Sequence, residues 1–325
     1  MYISRLVHAL AGAAASTTGL PALHRWLARA QLSRTQCDSW EQAVCERFGV
    51  ARQGDWPVAP LCLLADGGTP GSAWWLRADP AHLQATRADL TLARSGDLGL
   101  TPPDCAALAE TINRHFAGDN LELVAACTDR WYLRAAQPQD LVTTPPEQAA
   151  GRSIDALLPR GGQALAWHRR LNEIQMLLHE HPVNLAREAR GELPVNSVWL
   201  WGGGVRPACA ALAGHSVWTD APLARGLALC AGTPCSRLPA GAAEWLGQAG
   251  HGHHLLVLEA EPDAASLEQR WLAPLLAAVR AGRLDRCALV GWHRTELLRF
   301  TLSRRDLWKF WRIAPALADQ GRPHA

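Results

Sequence analysis

Short apolar runs typical of buried β-strands alternate with helical patterns along most of this chain of 325 residues. This alternation constrains the fold strongly, because strands separated by helices pair most readily as a mainly parallel sheet. The sequence therefore predicts an α/β fold. The predicted strands are residues 3–10, 61–65, 198–201, 255–259 and 287–291.

Helical periodicity is clearest over residues 163–179. Four apolar residues share one face there: Trp167, Leu171, Ile174 and Leu178. Another helix is predicted to begin after Thr101, because threonine caps helix N-termini and a proline follows it. A further helix is predicted to open at Asp220 and Pro222 and to end at Gly232.

The middle of the chain follows a different pattern. "LELVAACTDRWYLRA", residues 121–135, contains two alternating runs joined at Thr128 and Asp129, which predicts a hairpin rather than a crossover. We therefore expect residues 72–165 to form an inserted α+β lobe between two parts of a core, residues 1–71 and 166–325. Residues 193–325 and about the first 70 residues should then share one sheet.

Composition narrows the function classes. A formal net charge of +2 with 19% charged residues argues against nucleic-acid or membrane binding founded on net charge. Nine cysteines without a CxxC pair are typical of reduced, mostly buried thiols. The first residues loosely resemble a signal peptide, but His8 interrupts the apolar run, and no stretch approaches the roughly 18 apolar residues of a membrane helix. We expect a soluble, cytoplasmic protein.

Three consecutive glycines stand out in "LPVNSVWLWGGGVRP", residues 193–207. Glycines between a strand and a helix can present N–H groups to a phosphate. A GxGxxG or GK[ST] motif is missing, however, and Pro207 removes one donor. A tight turn at the carboxyl end of the strand, facing a ligand cleft, is the favoured interpretation.

Two other features allow a functional and a structural interpretation. His251, His253 and His254 are possible metal ligands, although a surface turn is favoured. Trp308 and Trp311 would share a helix face, which could bind a protein partner or dock the helix on the core.

The segment "NLAREARGELPVNSVWLWGGG", residues 184–204, resembles archaeal-type cofactor-independent phosphoglycerate mutases at the point where their inserted domain returns to the core. The matching positions are Asn184, Arg187, Gly191, Pro194, Asn196 and Gly202. "WLRADPAHLQATRADLTL" and "RRDLWKFWR" are similar to RpfE-type regulatory proteins of proteobacteria, an offshoot of the same family.

This resemblance implies an alkaline-phosphatase-like sheet that holds two metal ions and a serine nucleophile. The first strand of the family ends in an aspartate ligand, but no carboxylate lies near Leu10. In the segment that matches the nucleophile, Ser39 lacks the preceding glycine.

Two later ligand segments are also incomplete. Asp263 is retained, but Leu267 occupies a histidine position, and Trp292 replaces the aspartate before His293. Two dications need several anionic or imidazole ligands, and an unactivated serine is a weak nucleophile. We therefore predict no metal, no cofactor and no catalytic residue, with Ser39 as nucleophile only if the protein is active and with Asp263 and His293 as relics.

Two hypotheses remain open. The first is a non-catalytic binding or regulatory protein whose cleft takes a small anionic ligand. Its candidate residues are Asn184, Arg187, Asn196, Gly202, Gly203, Gly204 and His293. A purely structural role for the asparagines and the arginine is the alternative. The second hypothesis is an enzyme acting on phosphate esters, with a metal held by His251, His253 and Asp263.

Overall fold

The computed structural model describes residues 2–3, 20–85, 90–93, 98–149, 152–259, 263–293, 295–309 and 311. The chain divides into two compact units, one formed by Met1–Phe48 with Ala210–Ala325 and the other by Gly49–Cys209. We call the first the parallel unit and the second the antiparallel unit, after their sheets.

Within the described residues the strands are β1 (Tyr2–Ile3), β2 (Gln31–Gln36), β3 (Trp74–Ala85), β4 (Leu90–Ala93), β5 (Leu121–Val124), β6 (Tyr132–Ala135), β7 (Ser197–Val205), β8 (His215–Thr219), β9 (Cys235–Ser236), β10 (His253–Leu258), β11 (Arg286–His293) and β12 (Glu296–Ser303). The α-helices are α1 (Pro21–Arg29), α2 (Trp40–Arg47), α3 (Val58–Ala65), α4 (Pro102–His115), α5 (Pro146–Ala149), α6 (Ala164–His179), α7 (Pro182–Ala189), α8 (Pro222–Cys230), α9 (Ala242–Gln248), α10 (Ala264–Leu267) and α11 (Ala273–Arg280). None of the helices described is both long and apolar enough to cross a bilayer.

The sheet of the parallel unit has the strand order β2-β12-β11-β1-β10-β8-β9. β1 pairs in parallel with β10 and β11, and β8 pairs in parallel with β10 and β9. β12 is antiparallel to both β11 and β2. β2, β11, β1, β10 and β8 therefore end at the same edge, which we call the carboxyl edge. The structure is a mixed α/β fold, so the predicted α/β class is confirmed at that level.

Helices and a helical turn pack on this sheet through large apolar side chains. Trp26 of α1, Trp245 of α9 and Trp271 meet Leu256 and Phe300 of the sheet in one buried cluster. Each of these side chains is at least nine-tenths buried. Tertiary packing of apolar faces therefore holds these short helices in place.

The sheet of the antiparallel unit is built around the long strand β3, which pairs with β4, β6 and β7, while β5 pairs with β6. All of these pairs are antiparallel. One face packs on α4 and α6 in a core that includes Leu76, Leu133, Val198, Leu108 and Trp167. α3 packs against β3 and β7.

The prediction that residues 198–201 share a sheet with residues 3–10 is wrong. β7 pairs with β3 in the antiparallel unit, whereas Tyr2–Ile3 pair with β10 and β11. Residues 4–10 lie outside the described residues. Because β7 completes the antiparallel sheet, the compact unit spans Gly49–Cys209 instead of the predicted lobe of residues 72–165.

The predicted strand at residues 61–65 is also wrong, because the segment belongs to helix α3. Seven of its eight residues are buried, so the helix has no polar face to reveal a helical period. A short apolar run of this kind looks the same for a buried strand and a buried helix.

Other local predictions are confirmed. α6 buries Trp167, Leu171, Ile174 and Leu178 on one face. Thr101 caps α4 in a capping box with Asp104. α8 begins at Pro222 and Gly232 follows its end with a φ of 63°. β5 and β6 form the predicted antiparallel hairpin.

The burial of the cysteines and the local structure around Trp308 and Trp311 differ in part from the predictions. All nine cysteines are free thiols, but only four of them are buried: Cys37, Cys45, Cys62 and Cys105. Trp308 ends a short 3-10 turn, Arg304–Trp308, and Trp311 lies beyond it. The prediction that both tryptophans share one helix is therefore wrong.

Candidate functional site

The carboxyl edge of the parallel unit brings several of the predicted site residues to the same side of the sheet. Ser39 follows the end of β2, Trp292 and His293 end β11, and Asp263 follows β10. Open α/β sheets bind ligands at this edge. Topology therefore places these positions at one sheet edge, and their role as a former metal site stays a prediction.

Ser39 serves as the N-cap of α2. It has extended backbone angles, and its Oγ accepts a hydrogen bond of 3.1 Å from the N–H of Gln42. Serine is among the favoured N-cap residues because its oxygen satisfies a backbone donor left free at the helix start. The hydroxyl oxygen therefore makes a structural contact, and Ser39 is 7% exposed.

Trp292 is tied to the segment that precedes Ser39. Its indole Nε1 donates to the backbone oxygen of Cys37 at 2.8 Å, and the N–H of Cys37 donates to the oxygen of Thr295. Burial raises the pKa of the Cys37 thiol to about 11. A thiol with such a pKa stays protonated at neutral pH and is a poor nucleophile.

Asp263 is likewise a capping residue, at the start of α10. Its Oδ1 accepts from the N–H of Ser266 at 2.7 Å, and its Oδ2 accepts from the Ser266 hydroxyl at 3.1 Å. The hydrogen bond from the Ser266 backbone holds the pKa of Asp263 below its usual value. His293 ends β11, and its side chain lies outside the described residues.

These residues do not match the donor set of a two-metal centre. Trp292 offers no ligand atom where the resemblance implies an aspartate, and Asp263 and Ser39 each accept hydrogen bonds within their own helix starts. In the part of the chain that the structure describes, no group of three or more histidine, cysteine, aspartate or glutamate residues could hold a metal ion.

The alternative set of His251, His253 and Asp263 is not assembled either. His253 begins β10, whereas Asp263 follows the opposite end of that strand. The His253 ring stacks on His215 of β8, with ring centroids 5.0 Å apart. A six-residue strand at about 3.3 Å per residue separates its two ends too far for one ion.

Asn184 and Arg187, in the antiparallel unit, are buried and bonded to the backbone. Asn184 donates to the oxygens of Leu178 and Val195 at 2.7 and 2.8 Å and accepts from the N–H of Val195 at 2.9 Å. Arg187 donates to the oxygens of Leu193 and Leu98. These two residues therefore fasten α7 to the segment that leads into β7, which favours the structural role.

Asn196 has a similar role at the start of β7. Its side chain accepts from the N–H of Leu83 at 2.7 Å and donates to the oxygen of Leu83 at 2.9 Å. The amide thus extends the pairing of β3 with β7. The ligand-binding role of the three residues stays a prediction, since their described contacts are all internal.

Gly202, Gly203 and Gly204 form neither a βα turn nor an edge loop, because they lie within β7. Gly202 has a φ of 66° where the register with β3 shifts, so it forms a bulge. A Cβ on Gly202 would lie 2.8 Å from the Cβ of Val58 in α3. The glycines therefore allow a helix to approach the strand closely. They belong to the antiparallel sheet and share no sheet edge with Asp263 and His293.

A buried ionic cluster in the antiparallel unit was missed by sequence reasoning. Arg77 of β3 lies opposite Tyr132 of β6 and Trp201 of β7, and its guanidinium is 5.3 and 5.1 Å from their ring centroids. Its Nη2 lies 2.7 Å from Oδ1 of Asp79, two residues along the same strand. Trp201 donates to the other Asp79 oxygen at 2.7 Å.

The cluster continues through Tyr132, whose hydroxyl donates to Asp66 at 2.6 Å. Arg130 donates to both Asp66 oxygens, at 2.9 and 3.1 Å. Burial acts to raise the pKa of Asp66, but the hydrogen bonds from Arg130 and Tyr132 outweigh it and lower that pKa. For Arg77, burial acts to lower the pKa, and Asp79 raises it above its usual value.

The sequence "LRAD" holds the one indication of this cluster. Arg77 and Asp79 are two residues apart, so in a strand their side chains lie on the same face and can form an ion pair. The sequence could not indicate which aromatic side chains would flank them. That depends on the pairing of β3 with β6 and β7.

Comparison with known proteins identifies curated relatives that are 2,3-bisphosphoglycerate-independent phosphoglycerate mutases. The enzyme of Methanothrix thermoacetophila is 32% identical over 140 residues, which cover 41% of this chain and 35% of the relative. That of Methanosarcina mazei is 29% identical over 110 residues, covering 33% and 28%. A probable mutase of Geobacter sulfurreducens is 36% identical over 98 residues, covering 28% and 24%. The chain thus spans well under half the length of each relative.

Solved structures extend the likeness over more of the chain. A protein from Pyrococcus horikoshii matches 87% of this chain and 80% of its own length with a TM-score of 0.52 and 13% identity. A cofactor-independent phosphoglycerate mutase from Thermoplasma acidophilum matches 86% and 81% with a TM-score of 0.42 and 15% identity. No family model matches the chain. The relatives are mutases, and the first structural match shows a shared fold.

Proposed function

We propose that this protein is a cytoplasmic binding or regulatory protein of the RpfE type, built on a phosphoglycerate-mutase-like scaffold of the alkaline-phosphatase class. In this proposal the scaffold no longer performs two-metal chemistry. The observation that carries the proposal is the use of Ser39, Asp263 and Trp292 as structural contacts at the carboxyl edge.

The chemistry of phosphoryl transfer explains why these contacts matter. A two-metal mechanism needs anionic ligands that hold both ions close to the nucleophile and the leaving oxygen. A serine hydroxyl becomes a nucleophile only when an adjacent base or a bound metal activates it. The residues at this edge therefore support retention of the fold without retention of the reaction.

The proposed small anionic ligand is not assigned to Asn184, Arg187 and Asn196. Most of their polar atoms bond to the backbone of Leu83, Leu98, Leu178, Leu193 and Val195. Nη1 of Arg187 has no hydrogen-bond partner but lies 3.2 Å from a carboxylate oxygen of Glu192. Arg187 is 1% exposed and Asn184 is fully buried, so a ligand would have to displace internal contacts.

The deciding experiment measures metal content and mutase activity on the full chain purified without a histidine tag. We expect no stoichiometric Mn²⁺ or Zn²⁺ by plasma emission analysis and no interconversion of 2- and 3-phosphoglycerate in a coupled assay. Ser39→Ala should lower stability by about 1 kcal/mol through the lost helix cap. Ser236→Ala, at an exposed strand serine, is the matched control and should leave stability unchanged.

A second candidate function is an enzyme acting on a small phosphate ester, which the names of the curated relatives favour. The metal analysis and the mutase assay together distinguish such an enzyme from the non-catalytic protein. About one metal ion or more per chain, together with turnover that Ser39→Ala abolishes and Ser236→Ala does not, would establish the enzyme and refute the non-catalytic proposal.

A further inference from the structure

The edge of the parallel sheet opposite the carboxyl edge carries a group of arginines. β2 and β11 begin there and β12 ends there, since Gln31 lies opposite Thr301 and Arg286 lies opposite Ser303. Arg304 and Arg305 follow β12 directly, and Arg283 lies in the turn between α11 and β11. Topology thus places arginines from two chain segments at one end of neighbouring strands.

These arginines are exposed, and one of them, Arg283, also donates from its Nη2 to the backbone oxygen of Leu246 at 3.0 Å. Arg283, Arg286, Arg304 and Arg305 are all exposed. The guanidinium of Arg304 reaches back to the turn before β11. Its Nη1 lies 3.5 Å from the position that a Cβ would occupy on Gly282 of that turn. Arg29, at the end of α1 and just before β2, adds a guanidinium nitrogen, Nη1, that is buried without a hydrogen-bond partner.

One carboxylate of these segments, Asp306, is paired within its own turn. Asp306 accepts hydrogen bonds from the N–H and hydroxyl of Ser303 at 3.0 and 2.6 Å and pairs with Lys309. The hydrogen bond from Lys309 and those from Ser303 outweigh burial, which acts to raise the pKa of Asp306, and hold that pKa below its usual value. Asp285, between Arg283 and Arg286, is the exposed carboxylate among the described residues of the segment 283–286.

Two exposed tryptophans follow Arg304 and Arg305 closely in the chain. Trp308 is 76% exposed and Trp311 is 66% exposed, which is unusual for side chains of this size. The turn that presents Trp308 is fixed, because Ser303 and Asp306 form a capping box and Leu307 packs against the core. A fixed turn loses little backbone entropy when a partner covers it.

We infer that Arg283, Arg286, Arg304, Arg305, Trp308 and Trp311, which we call the arginine–tryptophan patch, form a docking surface for an acidic segment of a partner protein. Tryptophan and arginine are the side chains most enriched among residues that dominate protein–protein binding energy. Carboxylates of the partner pair with the guanidinium groups, and an apolar side chain beside them covers the Trp308 indole.

Charge and shape favour a protein over the other polyanions. The near-neutral chain lacks the strongly basic character of nucleic-acid-binding domains, and Asp285 interrupts the arginines. Trp308 lies on a five-residue turn rather than on the long amphipathic helix with which peripheral proteins enter a bilayer. The inference does not depend on whether the protein catalyses a reaction, since the patch lies at the opposite sheet edge from Ser39 and Asp263.

The test measures binding of a short fluorescein-labelled peptide of repeated Glu-Glu-Leu units to the full chain by fluorescence anisotropy. We expect binding that weakens as salt rises, because the charges are exposed and screened. The double variant Arg304→Ala/Arg305→Ala and the single variant Trp308→Ala should each weaken binding by about tenfold. Arg114→Ala and Met176→Ala, at side chains that are also highly exposed, are matched controls that should not change it.

Two further probes separate the classes of partner, namely a single-stranded oligodeoxynucleotide and phosphatidylserine vesicles. Tighter binding to either probe than to the peptide would overturn the inference. Failure to bind the peptide, or equal loss in the patch and control variants, would overturn it as well. Equal melting temperatures of all variants would show that a lost affinity does not reflect unfolding.

Discussion

Asp79 in the antiparallel unit lies beside a buried guanidinium, whereas Glu268 in the parallel unit lies beside the first turn of a helix. Asp79 and Arg77 have side chains 5% and 6% exposed. Glu268 is equally buried, and its two oxygens accept from the N–H groups of Ala22 and Leu23 at 2.5 and 2.8 Å. A full charge thus compensates the buried carboxylate of Asp79, and backbone dipoles compensate that of Glu268.

The two arrangements depend on different parts of the fold. Arg77 keeps its place through strand register, because Tyr132 and Trp201 lie opposite it on β6 and β7. Glu268 depends on the docking of α1, whose N-cap residue, Leu20, makes no side-chain cap. A carboxylate near a helix N-terminus is stabilised by the unpaired N–H groups and the helix dipole. Loss of the ion pair should therefore be more costly than loss of the helix contact.

The largest effect is expected from Asp79→Ala. The substitution leaves the Arg77 charge buried without its partner and removes the acceptor for Trp201, which should cost about 3–5 kcal/mol. Urea unfolding measures the loss. Glu122→Ala, which breaks the exposed pair with Arg134, is the matched control and should change stability little. Equal stability of the two variants would show that the Asp79–Arg77 pair does not support the unit.

Arg187→Ala should be the next most destabilising change, at about 3 kcal/mol. It removes charge-assisted hydrogen bonds to the oxygens of Leu193 and Leu98 and empties a fully buried site. Arg190→Ala, three residues along and half-exposed, should leave the unfolding midpoint unchanged. Unchanged stability of Arg187→Ala, with lost binding of a phosphate ester, would restore the ligand-binding role of this arginine.

Glu268→Ala should cost about 2 kcal/mol, because two buried N–H groups of α1 lose their acceptor. Glu268→Gln keeps the size and one oxygen acceptor, so it should recover part of the loss. Glu46→Ala, at an exposed glutamate of the same unit, is the control. A Glu268→Ala loss as large as that of Asp79→Ala would mean that helix dipoles and buried charges compensate a carboxylate equally well.

Asp66→Asn should show the smallest effect, about 1 kcal/mol at neutral pH, because Arg130 is partly exposed and solvent screens the pair. The Asp66 pKa is lower in the folded protein than its ordinary value of 3.8. Its contribution is therefore complete above the unfolded pKa and is lost as pH falls through the folded pKa.

Stability curves of the wild type and Asp66→Asn, measured by urea unfolding from pH 7 downwards, check this prediction. The difference between the two proteins should stay constant to about pH 5 and then shrink as Asp66 becomes protonated in the wild type. A difference that grows in acid would contradict the lowered pKa.

Much of the local structure could be predicted from sequence. The apolar period fixed α6, and Thr101 with its capping box marked the start of α4. The run at residues 61–65 was wrongly predicted to be a strand, because α3 is buried on nearly all sides and shows no polar face. Hydrophobic periodicity therefore predicts an element reliably where one of its faces is exposed to solvent and the other is buried.

For the candidate site, the sequence indicated residues but not their roles. Sequence motifs located Asn184, Arg187 and the three glycines, but their roles depend on distant contacts with Leu98 and Val58. The Arg77–Asp79 pair was missed, because a strand pattern of alternating polar residues is the same for a buried and an exposed face.

The sequence by itself determined the helices with one apolar face, their caps, the hairpin of β5 and β6, and the resemblance to the mutases. Only the tertiary structure decided that β7 joins β3, because an apolar strand can satisfy its hydrogen bonds in either sheet. It also decided that Gly202 forms a bulge against Val58 and that Ser39 and Asp263 cap helices. Such roles depend on which backbone donors and neighbouring atoms lie nearby once the chain has folded.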